Sequence, residues 1–218
     1  MAPRHLRRIM RTLIAIPCMD MVHTSFMKSL LGLMRVGDCG FSVTCSSLVY
    51  DARNMLAAQA IQEQWDRVLF LDSDMVFGPE LLYKLSQDLD EGKEMVCGLY
   101  FKRKPPFNPV MYKNLEYSTD PEKGVVNVKI DTYEDYPKDQ IFEVAACGFG
   151  AVLITTDLIA RIGEKFGAPF SPLLGLGEDL TFCYKASQLG VPMYCDSRIK
   201  VGHVGLVTVN EQTYQSTR

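Results

Sequence analysis

Between residues 12 and 100, short apolar runs alternate with segments of helical spacing, and this alternation limits the possible folds more than any other feature of the chain. Thr12–Pro17 is a short apolar run stopped by proline, as expected of a buried parallel strand. His23–Val36 places Phe26, Leu30, Leu33 and Met34 at helical spacing and stops at Gly37. Phe41–Cys45 reads as a second strand. Asp51–Gln64, rich in Ala, Leu, Met and Gln, reads as a second helix, and Arg67–Leu71 as a third strand. Gly78-Pro79-Glu80 opens a third helix, with proline in the first turn and an acid near the positive end of the dipole. Met95–Tyr100 is a fourth strand. Strands separated by helices pair in parallel, so the expected class is α/β: a mostly parallel twisted sheet with helices on both faces.

After Tyr100 the rhythm changes. The basic loop Lys102-Arg103-Lys104-Pro105-Pro106 precedes Pro109–Tyr112 and Val125–Ile130, expected as short antiparallel strands around a turn at Asp120-Pro121-Glu122-Lys123-Gly124. Glu143–Ala146 and Ala151–Ile154 read as strands interrupted by Gly148-Phe149-Gly150. Thr156–Phe166 and Asp179–Leu189 read as helices, and Met193–Cys195 and Arg198–Val201 as short strands. With neither an internal repeat nor a Ser/Gly linker, a single domain is expected over residues 12–205. Its first half, 12–100, is of nucleotide-binding type; the second, 101–205, completes a cleft with a small antiparallel part. Residues 1–11, carrying Arg4, Arg7, Arg8 and Arg11, read as a basic tail, and 206–218 as a C-terminal tail.

The 218 residues are 47% hydrophobic and 22% charged, which argues against a disordered chain and supports a buried core. A net charge of −3 disfavours a uniformly basic nucleic-acid binder. No apolar run approaches the ~18–20 residues of a membrane span. Leu13-Ile14-Ala15-Ile16 is too short for the core of a secretory signal. The seven cysteines form no C-x-x-C and stand mostly in apolar runs, so buried reduced thiols and a cytoplasmic location are expected.

Four groups of residues carry chemistry. Asp72-Ser73-Asp74 follows the apolar run Val68-Leu69-Phe70-Leu71, which places two carboxylates at the carboxyl end of a strand, where open α/β sheets bind ligands. Such a pair can hold a divalent cation, and the cation a diphosphate; the alternative is a helix-capping Asp beside a solvated one. Gly177-Glu178-Asp179 puts acids at a helix start, where the dipole keeps them ionised and one can take a proton from a hydroxyl, unless both serve only as caps. In Gly202-His203 the glycine permits close approach to an imidazole that either ligates a metal or is a satisfied core side chain. Asp51-Ala52-Arg53-Asn54 opens a helix with a guanidinium suited to phosphate or ribose, or else to a salt bridge.

Ile16-Pro17 at the end of a strand, Ala52-Arg53-Asn54, Asp72-Ser73-Asp74, Gly177-Glu178-Asp179 and Gly202-His203 follow one another in the order found in GT-A glycosyltransferases. Over about residues 12 to 205 the chain resembles small members of glycosyltransferase family 2. The resemblance implies a metal-dependent enzyme that moves a sugar from a nucleoside-diphosphate sugar, a UDP-sugar first, to a hydroxyl acceptor. That acceptor is a glycan, a lipid-linked sugar, a small molecule, a protein or a modified DNA base. Pro17, Cys18, Met19 and Asp20 would line the base pocket together with Ser46 and Ser47. Arg53 and Asn54 would approach the nucleotide, with Asp72 and Ser73 near the ribose. Asp72, Asp74 and His203 would ligate Mn²⁺ or Mg²⁺. Asp179 would be the base of an inverting transfer, helped by Glu178. Cys147, Gly148, Phe149 and Gly150 would floor the transferred sugar, while Lys102 and Arg103 suit an anionic acceptor.

Rival readings share parts of this pattern. Asp72-x-Asp74-x-Val76 after an apolar strand also fits the first motif of haloacid-dehalogenase-type phosphatases, with Asp72 as nucleophile and Asp74 as acid. That motif usually lies near the chain start, whereas alternating strands and helices precede it here. A sugar-nucleotide pyrophosphorylase would need a glycine-rich first loop, and Pro17–His23 contains no glycine. A non-catalytic nucleotide-binding module would share the fold without needing every acid.

Overall fold

The structure is a computed structural model, which describes residues 9–120 and 125–205. Arg4, Arg7 and Arg8, most of the expected turn at Asp120–Gly124 and the tail 206–218 lie outside the described residues. The first half runs β1 (Arg11–Cys18), α1 (Thr24–Gly32), β2 (Asp38–Cys45), α2 (Val49–Gln62), β3 (Arg67–Leu71), β4 (Met75–Val76), α3 (Leu81–Asp90) and β5 (Met95–Leu99). The second half begins with β6 (Met111–Asp120), β7 (Val125–Thr132), β8 (Ile141–Val144), β9 (Ala146–Cys147) and β10 (Ala151–Thr155). It ends with α4 (Thr156–Phe166), α5 (Glu178–Ser187), β11 (Met193–Lys200) and β12 (Gly202–His203).

Seven strands form the central sheet in the order β2-β1-β3-β10-β5-β11-β8. β2, β1 and β3 pair in parallel, as do β5 and β11, while β10 runs against both β3 and β5, and β8 against β11. The sheet is mostly parallel, as expected. Successive strand residues point to opposite faces, so the apolar runs feed two cores at once. Leu13, Ala15, Val68, Phe70, Val152 and Ile154 pack under α2, α4 and α5. Ile14, Ile16, Leu69, Leu71, Ala151 and Leu153 pack under α1 and α3. β3 and β10 are buried on both faces along nearly their whole length, which is why they contain hardly any polar residue.

The differences from expectation have local causes. Arg11, assigned with the basic tail, begins β1: its guanidinium lies 4.4 Å over the Trp65 ring and donates to the Glu63 and Gln64 carbonyls. α1 stops at Gly32 rather than running to Val36, because the Met34 amide leaves the helix to donate to the Pro79 carbonyl at 2.8 Å. β2 starts at Asp38, three residues before the expected Phe41, since the ladder to β1 is already in register from Arg11↔Asp38. β6 and β7 make a long hairpin, whereas only Pro109–Tyr112 was expected of the first strand. A register shift between Tyr112 and Asn114 interrupts the two-residue period there, which hid the continuation from pattern reading. A similar irregularity between Asp196 and Lys200 lies inside β11, which the sequence had divided in two.

Four cysteines, Cys97, Cys147, Cys183 and Cys195, are buried as expected; Cys18 and Cys39 are half-buried and Cys45 is exposed. Among the described residues, no helix is long and apolar enough to cross a membrane.

Candidate active site

The parallel arrangement of β1, β2 and β3 brings the chain segments that follow them to the same edge of the sheet. A cleft of about 490 Å³ opens there, with Pro17, Cys18 and Met19 on one wall and Ser46, Ser47 and Val49 at the start of α2. Arg53, Asp72, Ser73, Asp74, Arg103, Glu178 and His203 complete its lining. Helix α2 therefore points its amide end, the positive end of its dipole, into the cleft. No side chain caps it; the Ser46 hydroxyl accepts the Leu48 amide at 3.1 Å just before the helix begins.

The Asp72–Asp74 loop is held from several directions. The Asp72 amide donates to the Gly150 carbonyl at 3.0 Å, and the Met75 amide turns back to the Asp72 carbonyl at 3.1 Å. The Ser73 carbonyl accepts from His23 at 3.0 Å and the Asp74 carbonyl from Val204 at 2.9 Å. Beyond the loop, β4 pairs antiparallel with β12, which sets His203 opposite Met75 and next to Asp74. The two acids have different neighbours as a result. Asp72 Oδ1 accepts from Arg53 Nη2 at 2.8 Å, whereas Asp74 Oδ2 accepts from Arg103 Nη1 at 2.8 Å and lies 3.5 Å from His203 Nε2.

Burial pushes both carboxyls up, with opposite net results. At Asp74 the His203 ring and Arg103 overcome burial, and the group lies below its ordinary value. At Asp72 burial prevails over Arg53 with the help of Asp74 and Glu178, and the group lies above its ordinary value. The His203 ring is oriented by its Nδ1, which donates to the Phe101 carbonyl at 2.9 Å, and by the edge of Tyr100 with 5.5 Å between ring centres. In the neutral ring that hydrogen bond leaves the Nε2 lone pair facing Asp74.

Arg53 reaches the cleft from beneath. It is only 2% exposed, lies 5.4 Å from the Phe149 ring centre and 5.7 Å from that of Phe70, and also meets Glu178 at 3.4 Å. Its charge thus joins the loop after β3 to the start of α5. Burial alone would loosen the Arg53 proton, but Asp72, Glu178 and Asp179 more than offset this and hold it more tightly than usual. Asp179 follows Glu178 at the start of α5 and is half-buried; it is not among the residues lining the cleft, and its Oδ1 accepts the Leu180 amide at 2.7 Å. Burial, then the neighbouring Glu178, raise its carboxyl from 3.8 to about 6.

Not every residue singled out in the sequence meets the cleft. Asp20 is exposed and outside the lining, and Lys102 points elsewhere, its Nζ 6.0 Å from the Tyr112 ring centre. Asn54 accepts the Phe170 amide at 3.0 Å, a tie between α2 and the loop before α5. Cys147, Gly148, Phe149 and Gly150 are all buried and are not among the residues that line this cleft. Phe149 packs among Phe70, Phe170 and Phe182, and side chains fill the space beside both glycines: a Cβ on Gly148 would come 2.0 Å from the Tyr100 hydroxyl, and one on Gly150 2.5 Å from Met75 Cε. Tyr100 itself escaped sequence reading. Its hydroxyl accepts the Gly150 amide at 3.2 Å while its ring steadies His203, and the only signal was a tyrosine closing an apolar strand.

Among the described residues, no three His, Cys, Asp or Glu side chains are grouped to hold a metal ion. Asp72, expected as a ligand, is engaged by Arg53. Asp74 and His203 remain as a pair, one hard oxygen and one imidazole nitrogen side by side, a donor set that fits a divalent cation whose other ligands come from a diphosphate and water.

No protein-family profile matches the chain, and no curated protein matches it in sequence. Solved structures do. The A197 protein from STIV is similar with a TM-score of 0.60 and 22% identity, over 89% of this chain and 86% of that one. GalNAc-T7, solved with UDP, GalNAc and Mn²⁺, is similar with a TM-score of 0.60 and 11% identity, over 91% of this chain but only 44% of its own length. At such identities the likeness speaks to backbone architecture, and on that level the chain has a GT-A-like fold.

Proposed function

We propose that this protein is a metal-dependent glycosyltransferase of the family 2 type, moving a sugar from a nucleoside-diphosphate donor, a UDP-sugar first, to a hydroxyl acceptor with inversion. One observation carries the reading: Arg53, Asp72, Asp74 and His203 come from distant parts of the chain to a single cleft at the carboxyl edge of the sheet, where α/β folds take nucleotides. Pro17, Cys18, Met19, Ser46 and Ser47 form the wall against which the base and ribose lie. The amide end of α2 faces the diphosphate. Asp74 and His203 Nε2 hold the cation, and Mn²⁺ suits their mixed oxygen and nitrogen donors better than Mg²⁺. When bound, that cation neutralises charge on the departing diphosphate.

The chain supplies the remaining work. Arg103, 54% exposed at its side chain and paired with Asp74, can turn from that carboxylate to the diphosphate, which assigns it to the donor rather than to an anionic acceptor. Arg53 holds Asp72 and Glu178 at a fixed separation and so positions the two walls of the cleft. Asp179, one residue beyond the Glu178 that lines the cleft, would take the acceptor proton on Oδ2, since Oδ1 is occupied by the Leu180 amide. Its carboxyl, raised to about 6, is a stronger base than an ordinary aspartate and is still ionised at neutral pH. Glu178 is tied to Arg53 and serves as its helper.

Thermal shift with a panel of nucleoside diphosphates, with and without Mn²⁺, tests the reading. The expected outcome is stabilisation by UDP that requires Mn²⁺. If no nucleoside diphosphate shifts the transition in either condition, the donor assignment is wrong.

A further inference from the structure

We propose that Cys18 and Cys45 are a reversible disulfide site on the rim of the cleft, closed by a low-molecular-weight disulfide. Three independent observations converge on this pair. Cys18 and Cys45 are the last Cα partners of the parallel β1–β2 ladder, and adjacent strands at about 4.8 Å fall inside the Cα window of about 4.4–6.8 Å that a disulfide requires. Their sulfur atoms already lie 3.4 Å apart, so closure needs side-chain rotation and no backbone movement. Finally, Cys45 is exposed and Cys18 half-buried, so an oxidant in solution reaches this pair, whereas Cys97, Cys147, Cys183 and Cys195 are sealed in the core.

The exposed thiol acts first. Cys45, as thiolate, attacks one sulfur of the small disulfide, forming a mixed disulfide and releasing one small thiolate. Cys18 then loses its proton and attacks the Cys45 sulfur, forming the internal bond and expelling the second small thiolate. Two protein thiols are oxidised and one small disulfide is reduced to two thiols, whose protons come from Cys18 and Cys45. Burial, and then the Cys45 sulfur beside it, raise the Cys18 thiol to about 11, which suits it to the second step rather than the first. The bond fastens the end of β2 to β1 immediately before Ser46, whose amide already donates to the Cys18 carbonyl at 3.0 Å. Cys18 and Ser46 both line the cleft, so the redox state of the pair sets the shape of its wall.

The full chain incubated with oxidised glutathione, alkylated and mapped without reduction provides the test. A Cys18–Cys45 cross-linked peptide should appear, with the four core cysteines alkylated only after denaturation, and dithiothreitol should abolish the cross-link. Cys18→Ser should instead accumulate glutathione on Cys45. If both cysteines are alkylated separately after oxidation, or if Cys18→Ser gains no adduct, the proposal is overturned. The cross-link is read without nucleotide, so its failure is independent of the donor reading above.

Discussion

Replacing Asp179 with Asn separates two consequences of one buried carboxyl. In the folded chain this group holds its proton more tightly than in the unfolded one, its value rising from 3.8 to about 6. A raised carboxyl makes no demand on stability below the unfolded value, and its cost grows as pH climbs through the folded value. At about pH 7.5 the full difference applies, about 3 kcal/mol against the folded state. Asn keeps the size and can still accept the Leu180 amide, but it has no proton to lose. The variant should therefore melt near the parent temperature at acid pH and roughly 6–12 °C above it at about pH 7.5. Transfer should move the other way. Loss of a general base costs about 10²–10⁴-fold, and parent activity should itself rise with pH through about 6 as the base deprotonates. Calorimetric melting across pH, together with UDP release at saturating donor, measures both effects on the same preparation. A melting gap that does not widen with pH would refute the burial argument. Transfer within a few-fold of the parent would reduce Asp179 to a helix cap and direct attention to Glu178.

Further outcomes are expected. Asp74→Ala and His203→Ala should each weaken Mn²⁺-dependent UDP binding by at least about tenfold in titration calorimetry, the size of loss seen when even a group supporting a metal ligand is removed. Their circular dichroism should be unchanged, since both side chains line an open cleft. Arg53→Ala should cost about 3–5 kcal/mol in urea unfolding, because it strands Asp72 and Glu178 without their shared cation. Gly148→Ala should cost about 1–3 kcal/mol by crowding Tyr100, while Gly163→Ala in α4, whose Cβ would meet nothing closer than 3.8 Å, should add about 0.5–1 kcal/mol. Asp72 should form no adduct with beryllium or aluminium fluoride, because Arg53 holds its Oδ1; a covalent phosphoryl group on Asp72 would support a phosphatase instead.

The parts of this architecture that could be read in advance are those encoded locally. β1, β3 and β5 are apolar runs buried on both faces, and Asp72-Ser73-Asp74 stood out because two charges directly follow such a run. Strand pairing is a different matter. Nothing in Ala151–Thr155 says that it lies between β3 and β5 or that it runs against both, since a doubly buried strand has the same composition in either direction. Side-chain direction was equally hidden. Glu178 and Asp179 are neighbours at a helix start, and only the helix orientation decides that the first lines the cleft and the second does not. Gly148 and Gly150 were legible as an interruption between two strands, but the side chains packed against them, Tyr100 and Met75, were not.

The position of β10 also governs the order in which the molecule can come into being. β3 and β5 never touch as sheet neighbours; each waits for a strand that the ribosome makes some fifty residues after β5. Until Ala151–Thr155 emerges, both are open edges with apolar faces, which is the condition under which nascent chains attract chaperones or pair with one another. The two halves legible in the sequence are therefore not two folding units. Closure of the cleft comes later still, because the loop bearing Asp74 is clamped by β12, nearly the last of the described residues to be synthesised. A nascent chain stalled or cleaved before Gly202 would carry every acid of the cleft and lack the strand that sets His203 beside Asp74.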